Sequence, residues 1–197
     1  MLSMVGRARA LILVVGLAAG DACTPITFQT QIAPTQAQRC VPEAGGEAVP
    51  CGPVEFEASQ RRDAFYAEAE SVYRRYWAEL RRIEVLEYPK VTSELEAVVG
   101  GQFRDVVAQL VTKLGFTQRL SGDSPIVWVK RWVGPQRSDS LVSLEACTDE
   151  RGSRFKNPDG GEALAGRAIQ RRVYFSREGD EAPLRIIESE YKRVEQY

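Results

Sequence analysis

Apolar positions recur at helical spacing through the first half of this chain and alternate through the second. Residues 57–86 contain no Gly or Pro. Phe65, Ala69, Val72, Tyr76, Leu80 and Ile83 fall three or four apart, forming one stripe of an amphipathic helix. Glu57/Arg61, Glu70/Arg74 and Arg75/Glu79 set opposite charges four apart on the other faces. Pro89 stops this helix at or before Tyr88. Ser93-Glu94-Leu95-Glu96 has the form of a capping box and opens a second, short helix that Gly100-Gly101 ends. A third helix is predicted over 102–114, with Phe103, Val106, Val107, Leu110, Val111 and Leu114 as its buried face and Gly115 closing it.

After Gly115 the period changes to two. IVWVKRWV, residues 126–133, alternates and is rich in β-branched and aromatic residues. SLVSLEACT, 140–148, sets Val142, Leu144, Ala146 and Thr148 on one face. Residues 165–177 and 184–194 give two more strands, separated by Glu178-Gly179-Asp180, and NPDGG at 157–161 is a strong turn. The expected fold class is α+β: three N-terminal helices packed on a curved antiparallel sheet of about four strands.

The amino terminus reads differently. Arg7 and Arg9 give a short basic start, ten apolar residues follow, and LILVVGLAAGDAC leads to Cys23. This is the layout of a secretory signal, and it is too short to span a bilayer. One reading cuts before Cys23, as in a bacterial lipoprotein, and makes that cysteine the lipid-bearing first residue. The other uses the small residues at 17–20 for ordinary export. Residues 23–56 then form a Pro-rich tether, since 24–53 hold five of the ten prolines and few large apolar residues. The signal would occupy 1–22 and the folded domain 57–197.

Cysteine usage fits an exported protein. CVPEAGGEAVPC places Cys40 and Cys51 at the ends of a loop suited to a local disulfide. Lipid on Cys23, this bridge and a buried Cys147 would account for all four cysteines. There is no histidine, which removes Ser-His-Asp and Cys-His nucleophile systems and histidine-containing zinc sites. A formal charge of -1 gives no electrostatic footprint for nucleic acid. No cofactor or metal is expected.

LVSLEACTDERG (141–152), the NPDGG turn and LRIIESEYKRVE (184–195) resemble, in order and form, the nuclear transport factor two-like superfamily as it occurs in exported actinobacterial lipoproteins. The resemblance covers about residues 57–197. It implies a cone-like domain, and the superfamily includes isomerases, cyclases and pure scaffolds, so it does not fix a function. Within such a cone, Tyr66, Tyr73, Tyr76 and Trp77 on the first helix, with Trp128 and Trp132 on a strand, would line a pocket. Core packing is the plainer account of the same residues, and an outward-facing tryptophan pair would instead mark a partner surface. Asp149 with Glu145 is the acid/base candidate, and a strand-exit turn residue is its plainer reading. The basic stretch 151–177 would meet acidic envelope polymers or head groups, or would simply be a solvated edge. The expected function is that of a non-catalytic, membrane-tethered extracytoplasmic lipoprotein. It would bind an envelope protein partner or serve in envelope assembly, with an isomerase-like enzyme or a binder of an apolar small molecule as the alternative.

Overall fold

A computed structural model describes residues 38–114 and 118–196. Cys23 and the signal at 1–22 lie outside the described residues. A short hairpin comes first, β1 (Arg39–Cys40) paired antiparallel with β2 (Val49–Pro50). Its turn holds Gly45 and Gly46 at φ of 83° and 113°, which L side chains rarely adopt. The Cys40–Cys51 disulfide closes the hairpin with Cα atoms 5.9 Å apart, the pairing the sequence suggested. Arg62 Nη2 donates to the Val41 carbonyl (2.6 Å) and the Tyr66 hydroxyl to Glu43 (3.0 Å), which holds the hairpin against the next element.

That element is α1 (Pro53–Ile83), with Pro53 in its first turn and Glu55 accepting from the Gly52 amide (3.0 Å). The buried stripe is wider than the periodicity predicts. Tyr66, Tyr73 and Trp77 join Ala69, Val72, Tyr76, Leu80 and Ile83 in the core, because α1 packs against both the sheet and a second helix. α2 (Ser93–Val98) is capped by Thr92, one residue before the expected start, whose hydroxyl accepts from the Leu95 amide (3.3 Å). In α3 (Phe103–Leu114) the buried face is narrower than expected. Phe103, Val107 and Val111 point inward, whereas Val106 and Leu110 are 55% and 39% exposed. The Phe103 ring meets Tyr76 of α1, 6.1 Å between centroids.

The strands divide into separate sheets. β4 (Ile126–Arg131), β5 (Val142–Asp149), β8 (Ala168–Ser176) and β9 (Arg185–Val194) form an antiparallel sheet in the order β4-β5-β8-β9. β3 (Arg119–Ser121), β6 (Arg154–Phe155) and β7 (Leu164–Ala165) form a second, in the order β3-β6-β7, and the β1–β2 hairpin is the third. The expected architecture is therefore corrected. Content is α+β, but one helix of 31 residues dominates and three sheets of two, three and four strands replace a single curved sheet. The physical reason lies at Gly166. A Cβ there would sit 2.0 Å from the Glu150 carbonyl oxygen, so only glycine allows the two backbones this close. The predicted strand over 165–177 breaks at this contact into β7 and β8.

The core lies between α1 and the inner face of the four-stranded sheet. Val142, Leu144, Ala146, Val173, Phe175 and Ile186 meet the α1 stripe, together with Leu95, Val98 and Val99 from the α2 region. No helix among the described residues is long and apolar enough to cross a membrane.

Candidate functional site

The sheet separates residues that the sequence grouped as one pocket. Tyr66, Tyr73, Tyr76 and Trp77 belong to the core on its inner face. Trp128 and Trp132 alternate with core-facing Val129 and so stand on the outer face. On that face each tryptophan carries a cation: Lys130 Nζ lies 4.6 Å from the Trp128 centroid, and the Arg172 guanidinium 3.8 Å from that of Trp132. Glu145 lies between the two cations, with Lys130 Nζ at 2.9 Å and Arg172 Nε at 3.5 Å, and its side chain is only 6% exposed. The register explains the cluster, because Lys130, Glu145 and Arg172 face one another across β4, β5 and β8.

Further along the outer face, Arg137 pairs with Glu188 (3.0 Å) and with Glu190 of β9 and lies over the Tyr174 ring. Gln136 accepts from the Ser143 hydroxyl, so the 132–141 loop folds over one end of the face. A hollow of about 480 Å³, lined by Arg137, Ser138, Asp139 and Glu188 among others, lies at the Arg137 end, and a second, lined by Glu145, Gln170, Arg172 and Lys192 among others, measures about 110 Å³. That is below the size of small-molecule sites.

Asp149 points into neither cluster. Its Oδ1 accepts from the Arg151 amide (3.0 Å) and Nε (2.9 Å), and its Oδ2 from Nη2 (2.9 Å). Both oxygens thus hold the strand-exit turn. Glu145 stands four residues away on the same strand, about 13 Å along it, so the two carboxylates do not form a pair. Cys147 is buried, and burial pushes its thiol pKa up.

A second cluster, at the end of the inner face, was not foreseen. Glu84, just past α1, accepts from Arg81 Nη2 and lies 3.7 Å from Arg119 Nε of β3. Glu150, just past β5, lies 3.5 Å from Arg81 Nη1 and 3.8 Å from Arg171 Nη2. Arg171 also donates to Thr148 Oγ1 (2.6 Å). Trp77 donates its indole N–H to the Ser124 carbonyl (2.8 Å), and the Arg81 and Arg171 guanidiniums lie 3.9 Å and 4.5 Å from its ring.

Burial pushes the Glu84 carboxyl up to about 7. Arg81 and Arg119 pull it down and Glu150 pushes it further up. The same burial lowers Arg81. Nearby, the Tyr73 hydroxyl is buried without a partner in hydrogen-bond geometry, and burial raises its pKa. Only the close charge spacing Arg81/Glu84 could have signalled this cluster in the sequence, since Arg119, Glu150 and Arg171 arrive from three other elements.

Comparison with known proteins gives no match: no family model, curated protein or solved structure is similar to this chain. The resemblance to the nuclear transport factor two-like superfamily therefore stays a reading of the sequence.

Proposed function

We propose that this protein is a non-catalytic, membrane-tethered extracytoplasmic lipoprotein whose folded domain binds an envelope protein. The tether would be lipid on Cys23. The recognition surface would be the outer face of the four-stranded sheet.

The observation that carries this reading is the outer face itself. It has no helix over it among the described residues, and it carries the half-buried Trp128 and Trp132 beside Lys130, Arg172 and the buried Glu145. Aromatic residues and arginine are the types most enriched where proteins meet. Cations and carboxylates are interleaved there, which suits a folded protein of mixed charge better than an acidic polymer of one sign.

The non-catalytic part rests on the carboxylates. Of the two carboxylates the sequence offered as acid and base, Asp149 is held by Arg151 and Glu145 by Lys130 and Arg172. A general base needs an oxygen free to meet substrate.

Two measurements on the full chain test the proposal. The intact mass of membrane-extracted protein should begin at Cys23 with a diacylglyceryl group, and Cys23→Ser should release the protein to the soluble fraction. Detergent-extracted wild type should migrate with its partner as a complex, and Trp128→Ala/Trp132→Ala, still folded by circular dichroism, should migrate as the free chain. An unlipidated mass removes the tether. An unaltered complex in the double variant removes the surface.

A further inference from the structure

A cleft of about 530 Å³ opens between the three-stranded sheet and one end of the four-stranded sheet. One wall carries the cross-strand pair Phe155 and Leu164, and the other the cross-strand pair Ile169 and Arg193. Glu84, Glu150 and Arg167 complete its charged lining. The volume lies in the range of sites that hold small organic molecules. Its apolar wall is only partly covered, with Leu164 46% exposed and Phe155 and Ile169 half-buried.

The charges select the ligand. Glu84 and Glu150 are already engaged by Arg81, Arg119 and Arg171. Arg167 and Arg193 are exposed, and their guanidiniums have no hydrogen-bond or ion-pair partner among the described residues. Two guanidiniums and two carboxylates therefore line the cleft, and three further guanidiniums pair with those carboxylates. A cationic ligand meets repulsion there, and a neutral apolar one leaves both unpartnered arginines unused. An anion with an apolar body uses both the wall and the rim.

We infer that this cleft binds an anionic amphiphile, its alkyl chain against Phe155, Leu164 and Ile169 and its carboxylate or phosphate head on Arg167 and Arg193. The site is separate from the outer sheet face, so its failure would leave the proposed function standing. The head-group chemistry is shared by free alkyl acids and by membrane lipids.

The test uses the full chain titrated with dansyl-undecanoate, followed by displacement. Competitors are alkyl carboxylates of increasing length, dodecyl phosphate, dodecyltrimethylammonium and phosphatidylglycerol vesicles. Carboxylates and dodecyl phosphate should displace the probe, with affinity rising about fourfold per methylene until the cleft is filled. Arg167→Glu/Arg193→Glu should weaken probe binding about tenfold or more without moving the unfolding midpoint. Should that variant fold poorly, Leu164→Ser provides an independent check, because it should flatten the chain-length dependence. Vesicle binding with the same arginine dependence identifies membrane lipid as the source, and displacement by the free acids alone identifies soluble alkyl anions. Equal displacement by dodecyltrimethylammonium, or unchanged affinity in a folded double variant, would overturn the inference.

Discussion

The two faces of the four-stranded sheet carry the same chemical parts at different depths. Inside, Trp77 lies against Arg81 and Arg171, which in turn hold Glu84 and Glu150. Outside, Trp128 and Trp132 lie against Lys130 and Arg172, which hold Glu145. Inside, the arginine side chains are 13% and 16% exposed, whereas Lys130 and Arg172 are 59% and 36% exposed. Water screens and solvates the outer cations, so their loss is cheap and their heads stay available to another molecule. The inner cations have no such solvent, and each depends on its partners. One cluster ties α1, β3, β5 and β8 together. The other joins β4, β5 and β8 nearer the solvent, where we propose that a partner binds.

The largest expected contrast comes from the tryptophans. Trp77→Ala removes a buried ring and its hydrogen bond to Ser124 and should cost about 4 kcal/mol in urea denaturation, whereas Trp132→Ala should cost about 1 kcal/mol. Equal losses would mean that the outer face is as structural as the inner one. Next come the cations. Arg81→Ala should cost about 3 kcal/mol at pH 8 and Lys130→Ala about 1 kcal/mol. The Arg81→Ala loss should shrink at pH 6, because Glu84 can take up a proton once its partner is gone.

The pH dependence sharpens the same point. Folding raises the Glu84 carboxyl from 4.5 to about 7, so the folded chain holds a proton that the unfolded chain releases between those values. This contribution is fully present below about pH 4.5 and is lost as pH rises through about 7, an amount on the order of 3 kcal/mol. Glu84→Gln should flatten that decline in a series of urea titrations across pH, and a wild-type decline persisting in the variant would assign it elsewhere. The smallest effect has the opposite sign. Tyr73→Phe deletes a buried hydroxyl without a hydrogen-bond partner and should leave stability unchanged or raise it by about 1 kcal/mol in thermal melts.

How much of this could be read from the sequence depended on the range of the interaction. The α1 stripe was legible because helical spacing repeats over 31 residues, and β5 because its alternation is strict. The Cys40–Cys51 bridge was legible from the short Pro/Gly-rich loop that the two cysteines flank. β3, β6 and β7 were not, since strands of two or three residues have no period to detect. The division into separate sheets turns on Gly166 meeting the Glu150 carbonyl, a long-range approach that no local pattern reports. The exposure of Val106 and Leu110 was missed because periodicity marks apolar positions without saying how many neighbours a short helix will have. The pocket grouping failed for a simpler reason: Tyr66 and Trp77 share a sequence signature with Trp128 and Trp132, but a sheet lies between them.

The most direct measurement of the account is photo-crosslinking of the full chain in intact cells, with the crosslinker at Trp128 in one strain and at exposed Ser71 of α1 in another. One discrete adduct to an envelope protein should form from position 128 and be lost when Lys130 and Arg172 are replaced by alanine, and none should form from position 71. Adducts of equal yield from both positions, or from position 71 alone, would contradict it.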